Sequence, residues 1–261
     1  MVKLMGVVNV TPDSFSDGGL FLEPEAAIAH GEQLVRDGAE ILDVGGESTR
    51  PGAEEVSVEE ELARTEPVVA DLEGLGYTVS IDTSKVRVAK AALGAGAEIV
   101  NDVTALRGDP EMAALCAERG ATVVLMHMPG NPRTMQDDPR YEDVVDEVKA
   151  FLAERVEAAV AAGVDEERIW LDPGIGFGKT LEHNLELLRR LGELRELGRP
   201  LVIGASRKSF IGKVDGSSVE ERIGGSLASA VLAAAEGADV LRVHDVAETA
   251  QALAVTSAIL G

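Results

Sequence analysis

The polar residues that close short apolar runs are the ones able to do chemistry. In chain order they are Asn9, Asp43 with the Glu47–Arg50 stretch behind it, Asp82, Asn101 with Asp102, His127, Asp172, Ser206 to Lys208, and Arg242 with His244. Amides, carboxylates and cations delivered to one place suit a cavity that reads a small ligand rich in heteroatoms. Asp82, Asn101, Asp172 and Lys208 supply two acceptors, one dual group and one donor, the complement of an aminopyrimidinone edge whose amino and ring N–H groups a carboxylate can bridge. Arg50, Arg242 and His244 form a separate cationic set for an anion, and the i, i+2 spacing of Arg242 and His244 points both to one side of a strand. Asn9 offers an amide oxygen to Mg²⁺, with phosphates and water completing the shell.

Other groups invite chemistry and are set aside. The run PGIGFGKT at 173–180 has proline where a phosphate loop needs its first glycine, so its glycines read as close backbone approach to a flat ligand, with Phe177 as an aromatic wall. His30 and His183 fall in helical patterns as surface or helix-end residues, and His127 reads equally well as a satisfied strand-end residue. Ser206 and Ser209 lack a nucleophile elbow, which disfavours covalent catalysis. Asp13 and Asp17 sit in a Gly- and Ser-rich loop where turn chemistry competes with function.

Positioning these groups takes eight strands, predicted at 3–8, 40–44, 78–81, 98–100, 122–126, 168–171, 201–203 and 240–243, each followed by an amphipathic helix. Ser57 with Glu60 and Ser218 with Glu221 read as capping boxes, and Asp245 with Glu248 repeats the pattern. Gly31, Gly38, Gly94, Gly120, Gly163, Gly198 and Gly237 mark helix ends. Eight β-then-α units at about 33 residues each give an α/β fold, a (β/α)₈ TIM barrel with a single domain over 1–261. A doubly wound sheet would need a G-x-G-x-x-G turn after its first strand, where NVTP stands instead. The polar connections at 11–23 and 47–56 read as mobile lids.

Composition narrows the partners. Lys and Arg total 24 against 46 Asp and Glu, a net charge of −22 that repels nucleic acid and anionic membranes. Screening beyond about 8 Å leaves local Arg and His to decide anion binding. The single cysteine excludes an intrachain disulfide, and the absence of a signal-like N-terminus or a long apolar run predicts a cytoplasmic protein without membrane insertion.

Seven blocks together resemble the dihydropteroate synthase family: MGVVNVTPDSFSDGG at 5–19, LDVGGESTRPG at 42–52, SIDT at 80–83, NDV at 101–103, LDPGIGFGK at 171–179, GASRKS at 204–209 and RVH at 242–244. They span the chain from first strand to last, and none departs from the family pattern. The resemblance implies a folate-pathway transferase that joins 4-aminobenzoate to a dihydropterin diphosphate in the cytoplasm, as a homodimer, with Mg²⁺ and with sulfonamides as expected ligands. It implies that Asp82, Asn101, Asp172, Lys208 and Met126 hold the pterin, and that Asn9, Ser48, Thr49, Arg50, Arg242 and His244 take the diphosphate, Asn9 through the metal. It implies an aminobenzoate site of Phe15, Thr49, Pro51, Phe177, Lys208 and Ser209, the last at a helix start suited to a carboxylate. Asp17, Lys208, Arg242 and His244 become the catalytic set, with Asp17 near a pterin methylene cation formed as diphosphate departs.

Two alternatives stay open. A pterin-binding methyltransferase would share Asp82, Asn101 and Asp172 but has no use for the cations Arg50, Lys208, Arg242 and His244. A non-catalytic pterin-binding paralogue predicts loss of the lid residues, which are intact in this sequence. The Ala-rich helix predicted at 223–235 offers close packing either to a second subunit or to the core.

Overall fold

The computed structural model describes residues 2–11, 24–48, 55–130 and 134–261. Eight parallel strands appear where predicted: β1 (Lys3–Asn9), β2 (Ile41–Gly45), β3 (Val79–Asp82), β4 (Ile99–Asp102), β5 (Thr122–Met126), β6 (Ile169–Asp172), β7 (Val202–Ile203) and β8 (Val240–Val243). They pair in the order β6-β5-β4-β3-β2-β1-β8-β7, and a parallel bridge between Leu171 and Leu201 joins the two remaining edges. The chain is a (β/α)₈ barrel, as expected. Its seam is thin because Pro200, which has no N–H to give, precedes a two-residue strand; its carbonyl still accepts from Leu171 at 2.9 Å.

The helices that cover the barrel are α1 (Pro24–Arg36), α2 (Val58–Gly74), α3 (Val86–Gly94), α4 (Met112–Arg119), α5 (Val144–Ala161), α6 (Leu181–Arg189), α7 (Ser209–Asp215), α8 (Ile223–Ala235) and α9 (Val246–Leu260). Ser57 caps α2 by accepting from Glu60 N at 3.2 Å. The Ser218–Glu221 box forms, but it heads a 3-10 turn before α8 rather than the helix itself. Asp245 makes no side-chain cap on α9, because its carboxylate is taken by the Arg207 guanidinium. Gly31 lies inside α1 and not at its end: a Cβ there would stand 2.9 Å from Leu72 Cδ2, so the glycine lets α1 approach α2.

Side chains on one strand alternate between the helix layer and the barrel interior. Met5, Ile41, Ile99, Val124, Val202 and Val240 form a buried cluster apart from the main core, with Trp170 packed on it. Two residues further along, on the same side of their strands, stand Asp43, Asn101, Met126, Asp172 and Arg242. One apolar plug thus floors a polar mouth at the C-terminal ends of the strands, the end at which barrels of this kind place their chemistry. No described helix is long and apolar enough to cross a membrane.

Candidate active site

Arg242 enters the mouth from β8 and meets two carboxylates, with Nε 2.6 Å from Asp43 Oδ2 and Nη2 2.8 Å from Asp82 Oδ2. Asn101 Nδ2 donates to the same Asp43 oxygen at 3.0 Å. Asp82 and Arg242, expected in a pterin-reading set and an anion-binding set, meet here as one ion pair. Asp43 is fully buried, and among the described residues its Oδ1 has no hydrogen-bond partner. One cation serving two carboxylates leaves each acid half compensated. Burial, with Asp43 adding its charge against the attraction of Arg242, pushes the Asp82 carboxyl up to about 7. Arg242, which burial alone would make less basic, is held above its ordinary range by Asp43 and Asp82.

Asp172 ends β6, buried, and accepts from Gly174 N at 2.7 Å. Burial raises its pKa, with Lys208 pulling the other way. Lys208, just before α7, donates to the Ile175 carbonyl and lies 4.4 Å above the Phe177 ring centroid. Burial lowers its pKa to about 8 against the attraction of Asp172. Met126 closes the apolar side of the mouth in a buried cluster with Val103, Met128 and Met135, against which Phe177 packs.

His244 Nδ1 is 3.0 Å from Ser206 Oγ, so the two sequence candidates at the ends of β7 and β8 do meet. Ser209 is the first residue of α7. At the end of β1, Asn9 pairs in register with Gly45, and a Cβ at Gly45 would lie 3.9 Å from Asn9 Oδ1 and 3.8 Å from Asp82 Oδ2, which places both side chains beside Gly45 at the mouth. Ser48 is half-buried after β2. Asp13, Phe15, Asp17, Thr49, Arg50 and Pro51 lie outside the described residues, as does most of both predicted lids.

Three features went unassigned in the sequence. Asp43 stood among the strand-end residues without a role; its alternation with Ile41 was the signal that it faces inward. Glu61 in α2 is fully buried, accepting from Lys85 Nζ at 2.6 Å and from Thr83 Oγ1 at 2.6 Å. Lys85 also reaches Glu47 Oε2 at 3.0 Å and the Val56 carbonyl at 2.6 Å, tying Glu47 to Val56. Lys179 is buried beside His127, whose ring nitrogen it contacts at 3.0 Å. His127 is therefore a satisfied residue, and burial followed by the charge of Lys179 lowers its pKa to about 2.

A barrel whose mouth holds this acid, amide and lysine set falls in a recognisable class: a family model described as pterin binding enzyme matches residues 5–244. The dihydropteroate synthase of Neisseria meningitidis serogroup B is 50% identical over 263 residues, covering 98% of this chain and 92% of the relative. The structure of the Xanthomonas albilineans dihydropteroate synthase with 4-aminobenzoic acid superposes with a TM-score of 0.94 at 51% identity, covering 100% of this chain and 93% of that one. The complex of the Xanthomonas enzyme with 7,8-dihydropteroate gives 0.90 at 48% identity, covering 100% and 94%. The chain belongs to the dihydropteroate synthase family of pterin-binding enzymes.

Proposed function

We propose that this chain condenses 4-aminobenzoate with 6-hydroxymethyl-7,8-dihydropterin diphosphate, giving 7,8-dihydropteroate and diphosphate. The observation that carries this reading is the meeting of Asp82, Asn101, Asp172 and Lys208 with Arg242 at one barrel mouth, acids and amide for the pterin edge beside a cation for the leaving group. Asp172 would accept from the pterin amino and ring N–H groups, with Asp82, Asn101, Lys208 and Met126 completing that site. Arg242, His244, Ser48, Thr49 and Arg50 would hold the diphosphate. Phe15, Thr49, Pro51, Phe177, Lys208 and Ser209 would hold the aminobenzoate.

The reaction breaks the bond between the pterin methylene carbon and the diphosphate oxygen, and the electron pair leaves with the oxygen. The methylene cation that remains is delocalised into the pterin, the aminobenzoate nitrogen attacks it, and that nitrogen then gives up a proton. Arg242 and His244 stabilise charge that grows on the leaving group, while Asp17 stabilises the cation; both forms of help appear only as charge separates, which is what raises rate. Asp17→Ala therefore lowers kcat far more than pterin affinity.

Among the described residues no three His, Cys, Asp or Glu side chains gather into a metal cage. A single amide oxygen on Asn9 fits Mg²⁺ that arrives on the diphosphate and keeps its waters. When bound there, the ion neutralises charge on the leaving diphosphate.

We further propose one domain over 1–261, a cytoplasmic setting, and a homodimer packed through α8 and α9. Leu232, Val255, Ile259 and Leu260 stand exposed on these helices, Ile259 at 77%, and an apolar patch of that kind supports a protein contact. Light scattering of the purified chain gives twice the chain mass if so.

The test of the reaction is diphosphate release from the dihydropterin diphosphate with Mg²⁺, with and without 4-aminobenzoate, following dihydropteroate by mass. Product that depends on aminobenzoate supports the synthase. Tight pterin binding without diphosphate or product replaces it with a methyltransferase or a non-catalytic binder.

A further inference from the structure

The loop at 173–178 is held by side chains from several elements. Asp172 Oδ1 accepts from Gly174 N at 2.7 Å and Asn184 Oδ1 from Gly176 N at 2.6 Å, while Gln136 Nε2 donates to the Gly176 carbonyl and the Tyr141 hydroxyl to the Gly178 carbonyl, both at 2.8 Å. The Phe177 carbonyl is taken by Lys179, whose Nζ donates to it at 2.9 Å. That amine also lies 3.0 Å from His127 Nδ1 and 3.5 Å from the His127 carbonyl, and the residue is only 2% exposed. The direction of the bond between the amine and Nδ1 follows the ring tautomer, and either direction satisfies that nitrogen of His127. The imidazole in turn packs edge-on against Phe151, centroids 4.9 Å apart.

An amine in this place is costly to bury, and filling the same space with methylenes would avoid that cost. Burial drives its pKa well below the ordinary lysine range, with Asp172 attracting charge back. What the amine adds over a hydrocarbon is direction. On the other side of the same loop Lys208 donates to the Ile175 carbonyl and rests on the Phe177 ring. Two lysines therefore grip carbonyls two residues apart, one from the core and one from the mouth.

We propose that Lys179 is a positioning residue: by holding the Phe177 carbonyl against His127, it sets the Phe177 ring in the orientation that receives 4-aminobenzoate. This rests on the function proposed above. Lys179 touches neither substrate in this reading; it acts through the backbone of Phe177. The part of the pterin edge read by Asp82 and Asn101, on β3 and β4, depends on it far less.

The test is a split between the two Michaelis constants. In Lys179→Met the KM for 4-aminobenzoate rises tenfold or more, while the KM for the pterin diphosphate changes less than threefold. Lys179→Gln, which keeps an amide donor for the Phe177 carbonyl, recovers most of that loss. Equal rises in both constants, or a fall in thermal stability with both constants unchanged, overturn the proposal. The wild-type assay shows separately whether the chain makes dihydropteroate at all. A second measurement needs neither turnover nor a variant: in ¹⁵N-histidine spectra of the whole chain, His127 keeps one neutral tautomer from pH 5 to 8. Titration of His127 within that range overturns the contact on which the proposal stands.

Discussion

Arg242 on β8 and Asp82 on β3 meet across the barrel mouth at 2.8 Å, and the same guanidinium reaches Asp43 on β2 at 2.6 Å. The neighbouring strands β2 and β3 are thus joined to β8, near the other end of the chain, by one cation. Any anion that draws on Arg242 does so in competition with two carboxylates already holding it, so Asp43, Asp82 and Arg242 act as one unit.

Replacing Asp43 with asparagine tests what that unit contributes to the fold. Asp43 is fully buried and serves both Arg242 and Asn101. Breaking a buried pair by removing one partner costs roughly 3–5 kcal/mol, because the other charge is left behind. Urea unfolding of Asp43→Asn is expected to show a loss at the lower end of that range, since Arg242 keeps Asp82. A loss below about 1 kcal/mol would mean that water replaces the carboxylate without difficulty.

Asp82 makes folding stability depend on pH. Its carboxyl is raised by burial from 3.8 to about 7, so between about pH 4 and 7 the folded chain holds a proton that the unfolded chain has released. The state that binds more protons loses ground as pH rises, and stability falls across that window. In Asp82→Asn this contribution is gone. Unfolding free energies of wild type and variant, compared at pH 4.5 and 7, are expected to converge or cross as pH rises; parallel curves would refute the shift.

How much of this was legible in the sequence follows from what each signal measures. The eight strands were legible because a parallel barrel strand is buried on both faces and reads as an unbroken apolar run, and the residue that ends the run marks the mouth. Asp82, Asn101 and Asp172 could be picked out that way, and Lys208 from the polar connection that follows β7. Contacts between strands were not legible: nothing in a one-dimensional pattern says that Arg242 spends its charge on Asp43 and Asp82. Glu61 and Lys179 were missed for another reason. Charged residues in helical or loop patterns ordinarily face water, and only the third dimension shows that Lys85 and Thr83 meet the first and His127 the second. Asp245 shows the converse error, a residue with good capping chemistry whose carboxylate is diverted to Arg207.

Gly174 shows how tightly the site is packed from behind. Its φ of +69° is disfavoured for other residues, and an added Cβ would lie 2.0 Å from the His127 carbonyl oxygen. Gly174→Ala is expected to cost roughly 1–3 kcal/mol in strain alone, lowering the melting temperature by about 2–4 °C per kcal/mol. Because the same peptide donates to Asp172, kcat/KM for the pterin diphosphate falls as well. Calorimetric melting with steady-state rates checks both, and a variant with wild-type melting and wild-type rates would show that the loop has room to move.

Lys208, proposed above to meet both substrates, is expected to set an upper pH limit on turnover. Its pKa is lowered to about 8 by burial, with Asp172 opposing, so the ammonium that rests on Phe177 is lost within the working range of an enzyme at mildly alkaline pH. The neutral amine can no longer offset Asp172 or attract an aminobenzoate carboxylate. Since kcat/KM reports ionisations of the free enzyme, it is expected to decline above about pH 8, approaching tenfold per unit. Lys208→Arg puts in its place a guanidinium that stays charged throughout. That variant works less well, because the wider head group displaces the Ile175 contact, but its profile is flat from pH 8 to 9.5. A wild-type profile that stays flat over the same range, or an alkaline decline that survives unchanged in Lys208→Arg, would assign the limit to some other group.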